Sequence, residues 1–140
     1  MQNMIIGQKV KMDQIFSESD VTPVTWVSIK EPEVVDLAVG SEVKIVGITK
    51  GKGFQGVVKR HGFAGGPRSH GQKNRERAPG SLGPTAPQRV IPGRRMAGRM
   101  GGDRQTLKKV KVVEWNAEGR MLALSGSLPG RRGSKVKIFA

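Results

Sequence analysis

The sequence predicts a mainly β protein: a small barrel or sandwich interrupted by a long, irregular, basic loop. Three observations carry this reading. Short segments rich in β-branched residues, roughly alternating between apolar and polar, occupy both ends of the chain. Turn residues separate them at short intervals, the pattern of small all-β folds. Between them lies a stretch with almost no aliphatic residues and an excess of Gly, Pro and Arg.

The strands follow in chain order. Met4–Met12 is apolar with polar interruptions and contains Gly7. Val21–Ile29 reads V-T-P-V-T-W-V-S-I, and Pro23 places its start at a sheet edge or bulge. Val34–Val39 and Glu42–Ile48 are expected to pair around Gly40-Ser41. Leu107–Trp115 alternates, Asn116–Gly119 turns the chain, and Met121–Leu124 and Val136–Phe139 follow. Trp26 and Trp115 lie within strand patterns and are expected in the core.

The middle cannot be built the same way. Between Ala64 and Arg104 the only Val, Ile, Leu or Phe residues are Leu82, Val90 and Ile91. Ordering a backbone costs roughly 1–2 kcal/mol per residue, so this segment requires tens. Burying three aliphatic side chains returns only about 5–9 kcal/mol. It is therefore a disordered insert or a long loop ordered by a partner, and its position between strands favours the loop. The expected organisation is a globular β domain from 1–59 and 105–140, with an extended Gly/Arg-rich loop from 60–104.

Charge identifies the kind of partner. The 140 residues carry 25 Lys and Arg against 11 acids, a formal net charge of +14. Residues 1–49 have a net charge of −3, residues 50–104 of +11 and residues 105–140 of +6. So basic a chain repels itself until something acidic neutralises it, and nucleic acid is the commonest such partner. Cysteine is absent, which excludes disulfides and Cys-based metal sites. Neither a cleavable leader nor a run of about 18 apolar residues is legible, so a soluble cytoplasmic protein is expected, without a membrane partner.

Signals of catalysis are weak. Gly51-Lys52-Gly53-Phe54-Gln55-Gly56-Val57-Val58 fits the G-x-G-x-x-G-x-V nucleotide-loop pattern. The chain is too short for a kinase, however, and no βαβ unit follows. The plainer reading is a basic turn anchored to the core by Phe54. His61 and His70 lie nine apart without Cys or carboxylates nearby, a poor metal site and a better RNA contact. Met96 and Met100 are spaced for packing. No enzyme, cofactor, metal or small-molecule substrate is expected.

The arginines point to folded RNA. The guanidinium fork binds phosphate bidentately, and glycine lets a backbone approach a sugar-phosphate chain closely. No aromatic residue occurs between Phe63 and Trp115, which argues against a base-stacking platform and favours shape and phosphate contacts. The expected phosphate contacts are Lys50, Lys52, Lys59, Arg60, Arg68, Lys73, Arg75, Arg77, Arg89, Arg94, Arg95, Arg99 and Arg104, with His61 and His70 beside them. Gly80, Gly83, Gly98 and Gly101 would allow close backbone approach. The bland alternative is a solvated charge run in a linker. A free-standing RNA chaperone or nucleoid protein would use the same electrostatics.

One resemblance is specific. T-K-G-K-G-F-Q-G-V-V-K-R-H-G-F, then G-G-P-R-S-H-G, R-A-P-G-S-L-G and P-Q-R-V-I-P-G-R-R-M-A-G-R-M-G-G, resembles the universal large-subunit ribosomal protein L-three family of bacterial type. It extends through about residue 130, and I-I-G-Q-K-V-K-M-D-Q-I-F followed by V-T-P-V-T-W-V is similar to the family's opening. Two departures stand out. Members usually have G-M-T where this chain has Lys11-Met12-Asp13. They also carry an extra segment between about Lys30 and Gly40, so the globular domain here is shortened.

The resemblance implies a closed β-barrel of the translation-protein type. It implies a loop entering large-subunit (23S-type) ribosomal RNA, its tip approaching the peptidyl-transferase centre. It also implies a part in early subunit assembly and contact with neighbouring large-subunit proteins. By position the tip is Gly83, Pro84, Thr85, Ala86, Pro87 and Gln88. Some bacterial members have a modified glutamine in the tip; the local sequence differs here, and the modification is not carried over.

Overall fold

Alternation over six segments lets each strand turn one apolar row inward, and the six strands close on themselves. The computed structural model describes residues 4–17, 20–30 and 37–139. They form two units, Met1–Lys50 with Gly102–Ala140, and Gly51–Gly101.

The first unit is the barrel. Its strands are β1 (Met4–Phe16), β2 (Val21–Ile29), β3 (Glu42–Ile48), β6 (Arg104–Asn116), β7 (Met121–Ser125) and β8 (Lys135–Phe139). The second unit contains β4 (Phe54–Gln55), the helix α1 (Val57–His61) and β5 (Gly98–Arg99). The barrel order is β1-β2-β7-β6-β3-β8, closed and antiparallel throughout. Closure leaves no open edge along the ring, the usual remedy for unpaired strand edges.

The core lies inside the ring. Val27, Ile45, Leu122, Leu124, Val136 and Ile138 are fully buried in one apolar cluster, against which Leu107 and Trp115 pack partly. Register shifts between Lys9 and Lys11, between Val43 and Ile45, and between Val112 and Glu114 add the local twist that closing a ring of short strands needs. At the second of these, Lys109 adopts φ 57. Gly7 meets its neighbour because it has no side chain: a Cβ there would collide with Val27 Cγ1.

The segment after β7 is stitched into the barrel by buried polar groups. The Thr25 hydroxyl donates to Gly126 O at 2.6 Å, and Lys9 Nζ donates to Leu128 O at 2.9 Å and Gly130 O at 3.2 Å. Leu128, Pro129 and Gly130 are buried.

β2 and β3 match their expected bounds, while β1, β6, β7 and β8 are longer than expected. Cross-strand pairing carries β1 through the polar Asp13-Gln14, opposite Val24 and Pro23. Pro23 sits just outside the β2–β7 ladder, which begins at Val24, so its missing N–H leaves no ladder bond unmade.

The pair expected around Gly40-Ser41 does not form from the described residues. Residues 34–36 lie outside them, Leu37 is buried in the core, and Val39-Gly40 is a turn with Gly40 at φ 88. β3 pairs instead with β6 and β8. Trp26 and Trp115 are half-buried, a correction to their expected place in the core: only Trp115 packs against the central cluster. The turn after β6 forms, with Gly119 N–H donating to Asn116 Oδ1 at 2.9 Å.

Candidate nucleic-acid interface

Taken by itself, Gly51–Gly101 has almost no interior. Val57, 2% exposed, is its one buried residue. Every residue from Pro79 to Ala97 is exposed, including Leu82, Val90 and Ile91. Backbone bonds hold its ends together: Lys52 N–H donates to Met100 O and Met100 N–H to Gly53 O, both at 2.9 Å, framing the β4–β5 ribbon.

α1 follows the ribbon and ends where Gly62 turns left-handed at φ 73. Its last turn carries Lys59, Arg60 and His61, cations or potential cations at the carbonyl end of a short helix. Phe54 does not anchor this turn: it is 77% exposed, and Val57 takes the buried position. The helix itself was not foreseen, because five residues are too few to show a period.

Two of the expected contacts converge. Arg60 Nη1 donates to Met96 O at 2.7 Å, and His61 Nε2 lies 3.0 Å from the same oxygen. This leaves both side chains half-buried, and the Arg60 guanidinium covers Gly98. Met96 and Met100 lie on irregular chain on either side of β5, not on a helix.

The remaining cations spread outward. Lys52, Lys59, Arg68, Lys73, Arg75, Arg77, Arg89, Arg94, Arg95 and Arg99 are exposed, as is His70. Gly51–Gly101 holds eleven Lys and Arg but one acid, Glu76. That carboxylate accepts from Arg68 Nε at 2.8 Å, and no other cation in this unit meets a carboxylate among the described residues. Gly66 N–H donates to Glu76 O at 2.9 Å, which presses Gly65-Gly66 onto the backbone of Arg75-Glu76. A Cβ on Gly65 would collide with Glu76 O. Arg94 Nη2 donates to Ser81 O across the base of the expected tip, and Gly83 to Gln88 beyond it are all exposed. Gly80 and Gly101 adopt φ 80 and 75, conformations that favour glycine.

Lys50 and Arg104 belong to the barrel unit, and both are exposed. Beside them, Thr49 N–H donates to Asp103 O at 2.9 Å and Asp103 N–H to Thr49 Oγ1 at 3.2 Å. These bonds pin the two points where the chain leaves and re-enters the barrel. His61 and His70 are not joined by any ligand-like cluster: no group of three His, Cys, Asp or Glu able to hold a metal occurs among the described residues.

Sequence reasoning missed a second set of cations, on β6, β3 and β8. The signal was present in K-V-K-V and K-V-K-I, where lysine fills successive outward positions.

The sequence that builds this six-stranded barrel and its basic coreless unit resembles those of known proteins. A family model described as Ribosomal protein L3 matches residues 11–128. The chain is 42% identical over 134 residues to the large ribosomal subunit protein uL3 of Bacillus thuringiensis (strain Al Hakam). It is equally similar to the proteins of that name from Bacillus mycoides (strain KBAB4) and Bacillus cereus (strain B4264). Each match covers 87% of this chain and 63% of the relative, so the chain spans less than two thirds of the relatives' length. With the family pattern matched from the first strand to the buried loop after the fifth barrel strand, the chain belongs to the ribosomal protein L3 family.

Proposed function

We propose that this protein is a structural constituent of the large ribosomal subunit, binding 23S-type ribosomal RNA through residues 60–104. The observation that carries the proposal is the composition of Gly51–Gly101: eleven Lys and Arg, one acid, and a single buried side chain. A segment of that kind gains a defined shape by lying against a dense polyanion, which neutralises its charge and replaces the missing core. The names of the relatives support the choice of polyanion.

The role is structural. The loop ties RNA helices together, and its ordering is coupled to binding. The tip, Gly83 to Gln88, is the part that approaches the peptidyl-transferase centre, where the chemistry belongs to the RNA. Support of early subunit assembly, contact with neighbouring large-subunit proteins and a cytoplasmic location belong to the same reading. No helix among the described residues is long and apolar enough to cross a membrane.

Sedimentation of extracts expressing the full chain tests this. Co-migration with large subunits is expected, and the variant Arg94→Ala/Arg95→Ala/Arg99→Ala should be depleted from them while keeping its thermal midpoint. Migration with free RNA or nucleoid, and never with large subunits, would overturn the proposal.

A further inference from the structure

β1 and β2 outrun the barrel. On the side away from β2, β1 pairs with β8 from Met4 to Gln8. Lys9 ends that ladder: its N–H donates to Ser134 O at 2.9 Å, and Gly133 N–H donates to Lys9 O at 2.7 Å. From Val10 to Phe16 no strand lies on that side among the described residues. The β2–β7 ladder begins at Val24, and beyond it Gly126 N–H donates to Pro23 O at 2.8 Å. β1 and β2 nevertheless stay paired as far as Phe16 opposite Val21. They form a two-stranded ribbon that passes the ring, with a long free edge on β1. Its turn is held by Ser17 N–H donating to Asp20 O at 2.9 Å and Asp20 N–H donating to Ser17 Oγ at 3.2 Å.

The ribbon has an apolar face. Residues directly opposite each other share a face of a sheet. Phe16 lies opposite Val21, Gln14 opposite Pro23 and Met12 opposite Thr25. One face therefore carries Met12, Phe16, Val21 and Pro23, all of them exposed, and Phe16 is 73% exposed. An isolated two-stranded ribbon is only marginally stable in water. Soluble proteins also cover long strand edges or guard them with charge. The charged residues on this edge, Lys11 and Asp13, pair with each other.

Charge decides what covers it. Residues 12–29 contain Asp13, Glu18 and Asp20 and no Lys or Arg, in a chain of net charge +14. A polyanionic nucleic-acid backbone is repelled there. A second copy meeting it ribbon to ribbon would set these carboxylates against their own kind. A cationic protein is complementary. Aromatic residues and Met are enriched at protein–protein interfaces, and a free strand edge accepts an extended segment through backbone hydrogen bonds.

We infer that the β1–β2 ribbon is a protein-docking site. An extended segment of a different protein, net positive in charge, adds as a strand along Val10–Phe16. Its apolar side chains cover Met12, Phe16 and Val21, and its Lys or Arg side chains meet Asp13 and Asp20. This deepens one part of the function proposed above, contact with neighbouring proteins, and rests on that part alone.

The test places a photoreactive benzophenone side chain in the full chain in place of Phe16. Cells producing it are irradiated, and the adducts are identified by mass spectrometry. The expected adduct is with another protein, at a peptide holding more Lys and Arg than Asp and Glu. Met12→Ser/Val21→Ser should cut its yield about tenfold, and Asp13→Asn/Asp20→Asn about threefold, with the thermal midpoint of each variant kept. RNA adducts, adducts between two copies, an acidic target peptide or no adduct would overturn the inference, as would an unchanged yield in either variant. Sedimentation of the same cells scores the proposed function separately. Co-migration with large subunits without a protein adduct sinks this inference alone, and adducts without co-migration sink that function alone.

Discussion

The Arg60 guanidinium lies over Gly98 so closely that a Cβ there would stand 2.6 Å from Arg60 Nη1. The glycine thus makes room for an arginine of its own chain, and the arginine is held there by Met96 O. Gly98→Ala should push Arg60 off that carbonyl. Because the displaced atoms end a flexible side chain, the barrel's thermal midpoint should not change. Any loss of RNA affinity should be absent when Arg60→Ala is already present, since the two changes remove one shared contact. Additive losses in that double-mutant cycle would contradict the coupling.

Gly47 presents the opposite case, a close approach to a rigid group. A Cβ on Gly47 would lie 2.6 Å from Pro129 Cγ, and the pyrrolidine ring is buried and cannot swing aside. Gly47→Ala should destabilise the barrel by about 1–3 kcal/mol, the range for overpacking a filled interior. Chemical denaturation measures it, and adding Pro129→Ala should recover part of the loss. A neutral Gly47→Ala would show that the segment after β7 is packed less tightly than the geometry indicates.

All six barrel strands could be read from sequence, but only β2 and β3, rich in β-branched residues, with their full bounds. Polar residues concealed the far half of β1, because Asp13 and Gln14 are held by the pairing of β2 and not by burial. The bulges were invisible, since an extra residue such as Lys109 leaves the composition unchanged. Phe54 was misplaced for a related reason: apolar character alone does not distinguish a core anchor from an exposed ring on a two-residue strand. The basic unit was legible because charge and the lack of aliphatics need no geometry. The lysines of β6, β3 and β8 were not, because inside an alternating strand a lysine reads as an ordinary solvent position until neighbouring strands are known.

Hydrogen exchange on the free protein should separate the two units. From Ser81 to Ala97 the only backbone–backbone bonds are Arg89 N–H to Pro87 O at 2.7 Å and Arg94 N–H to Ile91 O at 3.3 Å. With every residue of that span exposed, its amides should exchange almost as in an unfolded chain, while the ladders of β2, β3 and β7 are protected. RNA binding should slow exchange in the loop. Strong protection of the loop without RNA would contradict the view that it lacks a core.

Lys9 offers a pH test of the barrel. Lys9 is 7% exposed, and its ammonium donates to Leu128 O and Gly130 O. Burial, and secondly the charge of Lys50, hold its pKa below the ordinary 10.5. Between the lowered folded value and the unfolded value, the unfolded chain binds more protons, so stability rises with pH across that window and levels off above it. Below the window the penalty for burying the charge is fully present. Lys9→Met leaves two buried carbonyls without their donor and should cost about 1–3 kcal/mol at neutral pH. It also removes the titrating group, so the stability gap between wild type and variant should widen as pH climbs towards 10.5. Denaturation midpoints of the two proteins across that range give the answer. A gap that stays constant or narrows would mean that the lysine is not charged and desolvated at this position.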